Sequence, residues 1–124
     1  MTTEMKAPTI AEIRARIAEG LSRELLDELP RMTTMRIHAN GEERVPLFMI
    51  SATCRFLAPP LEENDDAGRL ATASERFVPA ADALLAGIED GVEPAPMYEL
   101  LDRFVTASAA ANRTLSFGEG SGHP

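Results

Sequence analysis

The chain has few of the side chains that usually carry catalysis or bind metals. Its 124 residues include one cysteine, two histidines, one tyrosine and no tryptophan. One histidine, His123, is the second-last residue and has no companion ligand near it in sequence. These scarcities argue against an enzyme without excluding one. We predict no catalytic residue, no metal site and no cofactor.

Motifs that bind phosphate or structural zinc are also missing. The sequence has no glycine-rich nucleotide-binding motif and no paired-cysteine motif. Cys54 alone cannot form an internal disulfide. Cys54 and His38 form the one available Cys–His combination, but Cys54 lies in an apolar run, where a free cysteine behaves as a small buried hydrophobe. We therefore expect Cys54 to be structural.

Positive charge is scarce as well. Twenty acidic residues outnumber twelve basic ones, which gives a net charge of −8. Lys6 is the only lysine, and the abundant alanine and arginine suggest a GC-rich bacterial genome. Nucleic-acid binding requires clustered basic residues that neutralise phosphates, and here the arginines are scattered. We predict no direct contact with nucleic acid or membrane, and we expect a basic protein surface to be a better partner.

Long apolar runs are absent from the sequence. No stretch approaches the ~18 residues of a membrane-spanning helix, and the N-terminus does not resemble a signal peptide. The sequence therefore predicts a cytoplasmic protein. The acidic stretch Glu62 to Asp66 lacks the spacing and central glycine of a calcium-binding loop, so we expect a solvated loop there.

Helical periodicity begins at Thr9. Thr9 and Glu12 have the spacing of a capping box, in which each side chain satisfies the other's free backbone amide. We expect a helix from there to Pro30, weakened at Gly20 because glycine in a helix costs ~1 kcal/mol relative to alanine. Apolar residues follow this helical spacing: Ile10, Ile13, Ile17, Leu21 and Leu25.

The period changes between Met32 and Leu57. Residues 33–39 alternate polar and apolar, which is typical of a half-buried strand, and Asn40-Gly41 is a turn signal. A three-residue loop would place Ile37 opposite Val45, with Pro46 at a sheet edge. Residues 47–57 fit a helix by spacing and a strand by residue type, and we favour the strand.

Two or three helices should follow the break at Pro59-Pro60. Apolar residues recur at helical spacing between residues 70 and 88, with a kink or restart at Pro79 and an end at Gly91. A last helix should run from Met97 to about Asn112. The sequence thus predicts an α+β fold with an N-terminal amphipathic helix, a β-hairpin or small antiparallel sheet, and two or three C-terminal helices packed on one face.

Residues 1–112 are predicted to form one compact domain, with a flexible arm at 1–8. Residues 113–124 are predicted to be a flexible, glycine-rich tail. Leu115 and Phe117 lie in this tail, where they either anchor a partner or fold back onto the core. We consider them candidate partner-binding residues.

Arg36, His38 and Arg44 are the candidate ligand-binding residues. They fall on the polar face of the predicted hairpin, where two cations and an imidazole suit an anion. The alternative is that they are exposed strand residues that protect a sheet edge.

The leading functional hypothesis is a small non-catalytic accessory or regulatory protein that binds another protein. One alternative is a small enzyme or ligand-binding protein with an Arg/His anion site. Another is an acidic mimic of nucleic acid that inhibits a nucleic-acid-binding protein. Because a small sheet needs further strands, we also expect a homodimer.

Overall fold

Helices alone form the described part of the chain. The computed structural model describes residues 7–63 and 66–117, with the side chain of Phe117 excepted. Its five α-helices are α1 (Ile10–Ile17), α2 (Arg23–Ala39), α3 (Arg44–Glu63), α4 (Ala67–Asp90) and α5 (Pro94–Phe117), and a 3-10 turn spans Gly41–Glu43. No strand occurs in these residues. The α+β prediction, with its β-hairpin and small antiparallel sheet, is therefore wrong, and the fold is all-α.

The capping box at Thr9 is confirmed. The backbone N–H of Glu12 donates to the Thr9 hydroxyl at 3.0 Å, and the Thr9 N–H donates to the Glu12 carboxylate at 2.7 Å. The helix ends earlier than predicted, however. Gly20 adopts a φ of +97°, which only glycine adopts easily, and this turn separates α1 from α2.

Pro30 does not end a helix, because α2 continues through it to Ala39. The buried residues of α2 are Leu25, Leu26, Leu29 and Thr33, so the helix is held on the core on both sides of the proline. The Thr33 hydroxyl donates to the carbonyl oxygens of Leu29 and Pro30, both at 3.0 Å. The alternation in residues 33–39 therefore did not indicate a strand.

Asn40-Gly41 connects two helices and is not the turn of a hairpin. The Asn40 side chain accepts from the backbone N–H of Glu42 at 3.2 Å, which caps the 3-10 turn. Pro46 falls in the first turn of α3, where a missing N–H leaves no helical bond broken. The strand prediction for residues 47–57 is wrong and the helical spacing was right, since Leu47, Ile50, Cys54 and Leu57 are all buried along α3.

The last two helices form an antiparallel hairpin. α4 continues through Pro79 and ends at Gly91, which has a left-handed φ of +64° and confirms the predicted end. The rings of Phe77 and Phe104 meet across the hairpin with centroids 5.7 Å apart. α1 packs on α4, and α2 pairs with α3, which packs in turn on α5. The fully buried core thus draws side chains from all five helices.

Candidate functional site

Helices α3 and α5 carry the exposed apolar surface of the protein. In the described part of the chain, the large hydrophobic side chains that remain exposed are between 46% and 72% accessible. All of them lie on these two neighbouring helices. We call this surface the α3/α5 face; it comprises Val45, Phe48, Phe56, Tyr98 and Val105.

The helical spacing explains why these side chains share a surface. One side of α3 carries Val45, Phe48 and Phe56. Residues three or four positions apart, or a multiple of that number, fall on the same face of a helix. Tyr98 and Val105 are seven residues apart, which is about two turns of α5. The opposite side of α3 carries the buried stripe, so this helix is apolar on two faces. Such a helix is typical of a protein interior or an interface.

The two helices run side by side in the same direction. At their N-terminal ends, Val45 and Tyr98 line one cavity. Towards their C-terminal ends, the Asn112 side chain donates to the carbonyl oxygen of Phe56 at 3.0 Å. The exposed side chains of α3 and α5 therefore lie along one extended surface.

A cavity of about 540 Å³ opens at the N-terminal end of this face. It lies between the connection from α2 to α3 and the turn from α4 to α5. Its wall is mainly apolar, and the polar groups at its edge come from Asn40, Glu42 and Glu43. The apolar lining residues include Val45, Pro46, Ile88, Val92, Met97 and Leu101.

Two acidic residues, Glu42 and Glu43, line the cavity. Glu42 is exposed, whereas Glu43 is paired with Arg36. The exposed Arg44 lies in sequence between the lining residues Glu43 and Val45. The cavity therefore combines an apolar wall with carboxylates at one edge.

The three residues predicted to bind an anion do not form a common site. The Arg36 Nε and Nη2 atoms donate to the two carboxylate oxygens of Glu43, at 2.6 and 2.9 Å. This contact raises the pKa of Arg36 further above its ordinary value and satisfies the guanidinium internally. His38 and Arg44 are exposed, and neither lines the cavity.

The other sequence candidates that the structure describes lie apart from the α3/α5 face. Leu115 is fully buried in the core, as in the alternative in which it packs on its own protein. The side chain of Phe117 and residue His123 lie outside the described residues. Cys54 is buried, which raises its pKa to about 12, and it does not meet the exposed His38. Asp66 caps α4 by accepting the Arg69 N–H at 3.0 Å.

Comparison with known proteins adds no assignment. The chain matches no protein-family model, and neither curated proteins nor solved structures show significant similarity to it. Among the described helices, none has the length and apolarity required to cross a membrane. Within the same residues, no group of three or more His, Cys, Asp or Glu side chains could hold a metal ion.

Sequence reasoning overlooked the α3/α5 face because residues 47–57 were assigned to a strand. In a strand, Val45, Leu47 and Met49 share one side. In a helix, Val45 and Phe48 share a side with Phe56, opposite the buried residues. The helical interpretation of residues 47–57 predicts this second apolar stripe, so the sequence did carry a signal for the exposed face.

Proposed function

We propose that this protein is a cytoplasmic accessory or regulatory protein that acts by binding another protein through the α3/α5 face. The supporting observation is that every large hydrophobic side chain exposed in the described part of the chain lies on this face. Single exposed hydrophobics need no explanation, but a contiguous patch is a candidate interaction site.

The composition of the face fits this proposal. Phe48, Phe56 and Tyr98 are 61%, 51% and 72% exposed, and aromatic residues are enriched in protein interfaces. With roughly 150–250 Å² per aromatic side chain, the face exposes on the order of 500 Å² of apolar surface. This area is in the range of the largest patch on a typical monomer, which is often functional.

Photo-crosslinking in the native cell tests the proposal. A benzophenone amino acid placed at Phe48 or at Phe56 should give a discrete adduct of higher mass. The same amino acid at Ala15 is the control, because Ala15 is exposed on α1, which packs on α4 and α2. Identification of the adduct by mass spectrometry then gives the partner.

A second substitution checks that the whole face is used. Phe48→Ser should abolish the adduct formed from position 56, because it removes an exposed apolar contact without opening the core. Ala15→Ser should leave that adduct unchanged. Adducts of equal yield at positions 15, 48 and 56 would contradict the proposal.

The same experiment examines the predicted homodimer. Its original reason, an incomplete sheet, no longer applies because the described residues form no sheet. A crosslinked species containing two copies of this chain would assign the α3/α5 face to self-association. It would then contradict the binding of a different protein.

A further inference from the structure

We propose that Asn112 is a positioning residue for the α3/α5 face. Its side-chain amide binds the backbone carbonyl group of Phe56, which Pro60 deprives of its helical donor, and so sets the orientation of the exposed Phe56 ring relative to α5. This inference rests on the proposed function, since the α3/α5 face is the proposed binding surface. It adds a polar residue on which the shape of that apolar surface depends.

The first observation is the proline inside α3. Pro60 lies four residues after Phe56 in this helix. The N–H of residue i+4 ordinarily donates to the carbonyl oxygen of residue i, and proline has no N–H. The helix nevertheless continues past the proline, with Leu57 and Leu61 both buried on its inner side. The Phe56 carbonyl group therefore has capacity for a donor from outside α3.

The second observation is that Asn112 on α5 is such a donor. Its Nδ2 atom donates to the Phe56 carbonyl oxygen at 3.0 Å, and α3 packs on α5. The orientation of the amide follows from its chemistry, because a carbonyl oxygen only accepts and must face the NH₂ group. The Asn112 Oδ1 atom accepts in turn from the Ser116 hydroxyl at 3.4 Å. Both ends of the amide are thus bonded.

The third observation is the place of Asn112 on α5. Tyr98, Val105 and Asn112 follow one another at intervals of seven residues, which is about two turns, so they lie along one side of the helix. Tyr98 and Val105 belong to the α3/α5 face. Asn112 is therefore the point at which the exposed stripe of α5 meets the main chain of the exposed stripe of α3.

The contact affects geometry more than overall stability. The hydrogen bond is exposed to solvent, where water competes as a partner, so its net contribution to stability is small. Its direction matters more, because it joins a side chain of one helix to the main chain of the other. It thereby restricts the rotation and the sliding of α3 beside Phe56.

Native-state hydrogen exchange of the full chain tests the contact. Asn112→Ala should speed the exchange of the backbone amides of residues 61–63 about two- to fivefold, because the end of α3 loses a hydrogen bond to α5. The amides of residues 48–53 should keep their rates. Alanine favours a helix more than asparagine does, but that gain acts on α5, so the amides of α3 are the appropriate probes.

Two further variants separate the donor from the shape of the side chain. Asn112→Asp keeps the size of the side chain but has no N–H at neutral pH. It should speed the exchange of residues 61–63 at least as much as Asn112→Ala does. Thr106→Ala is the control, because Thr106 is exposed on α5, and it should leave these rates unchanged.

Pro60→Ala tests why a donor from α5 is needed. Residue 60 then has an N–H that donates to the Phe56 carbonyl oxygen within α3. In this background, Asn112→Ala should change the exchange of residues 61–63 by less than about twofold, because the two donors serve one acceptor. An equal acceleration in both backgrounds would overturn the inference.

The crosslinking assay decides whether the contact serves the face. A benzophenone amino acid at position 56 keeps the backbone carbonyl group, so Asn112 can still bind it. Asn112→Ala should lower the adduct yield from position 56 at least about twofold relative to the yield from position 48, which lies roughly 12 Å away along α3. A general loss of stability would lower both yields by the same factor.

Two results would overturn the inference while the proposed function stands. They are adducts at both positions whose ratio Asn112→Ala leaves unchanged, and exchange rates of residues 61–63 that Asn112→Ala does not alter. The absence of adducts at both positions before Asn112 is replaced would instead reject the proposed function, and the positioning role with it. Hydrogen exchange needs no partner, so the two failures are distinguishable.

Discussion

Replacing Gly20 by alanine should destabilise the protein, although the sequence alone predicts the opposite. In a continuous helix from Thr9 to Pro30, Gly20→Ala would raise the free energy of unfolding by about 1 kcal/mol. In the structure, Gly20 has a φ of +97° at the turn between α1 and α2. The two interpretations therefore predict changes of opposite sign.

The magnitude follows mainly from the backbone. A residue with a Cβ held at such a φ costs about 1–3 kcal/mol. The added Cβ would lie 3.4 Å from the Ser74 hydroxyl oxygen, which is an ordinary contact. That hydroxyl accepts the Leu21 N–H at 2.6 Å, so the turn has little freedom to relax. We expect a loss of about 2 kcal/mol.

Urea unfolding followed by circular dichroism at 222 nm measures this change. A loss of about 2 kcal/mol should lower the midpoint by roughly 1 M, for a slope of about 2 kcal/mol/M. Gly91→Ala isolates the backbone cost, because Gly91 has a φ of +64° and open space around its Cβ position.

Gly41→Ala is the matched control. Gly41 also has open space around its Cβ position but no positive φ, so stability should stay unchanged or rise by about 0.5 kcal/mol. If Gly20→Ala instead raised the urea midpoint, the reasoning would be refuted, because α1 and α2 would then form one continuous helix.

Two further predictions concern buried polar groups. The Ser108 hydroxyl is buried without a hydrogen-bond partner in the described part of the chain. Ser108→Ala should therefore raise the free energy of unfolding by about 1 kcal/mol in the same urea assay. A decrease in that free energy would show that the hydroxyl is bonded. Cys54 should react slowly with a thiol reagent at neutral pH because it is buried, with a pKa raised to about 12, and rapid labelling of the native protein would contradict this. The buried, neutral Cys54 thiol contributes fully to stability below about pH 8.5, the pKa of the thiol in the unfolded chain. Above that pH, the contribution of the thiol to the free energy of unfolding should fall by about 1.4 kcal/mol per pH unit, up to the pKa of the thiol in the folded protein. It is measured as the difference in the free energy of unfolding between the native chain and Cys54→Ala.

The sequence by itself determined the beginning and several buried residues of the fold. The capping box at Thr9 needs only two side chains three residues apart, so its local chemistry is enough to predict it. Gly91 likewise ends α4 because a left-handed residue favours glycine. Apolar residues at helical spacing near the N-terminus, such as Ile13, Ile17 and Leu25, are indeed buried.

Tertiary packing decided the elements that the sequence left ambiguous. Short-range alternation in residues 33–39 resembles a strand, but Leu29 and Thr33 are buried in a continuous helix that also carries Pro30. A proline inside a helix costs about 3 kcal/mol or more, a local penalty that predicts a break. Burial of Leu29 before the proline and partial burial of Met32 and Ile37 after it offset this cost. That burial depends on residues distant in the chain.

The candidate site was determined in the same way. The sequence showed the acidic excess and the lack of catalytic side chains, because these depend on composition alone. It did not show that the exposed residues of α3 and α5 share a surface, or that Glu43 neutralises Arg36. The shared surface depends on the parallel pairing of two helices about fifty residues apart in sequence. The Arg36–Glu43 contact depends on the turn that joins α2 to α3. Only the packed structure decides such a pairing, because each helix has two apolar faces and the rest of the core selects which one is buried.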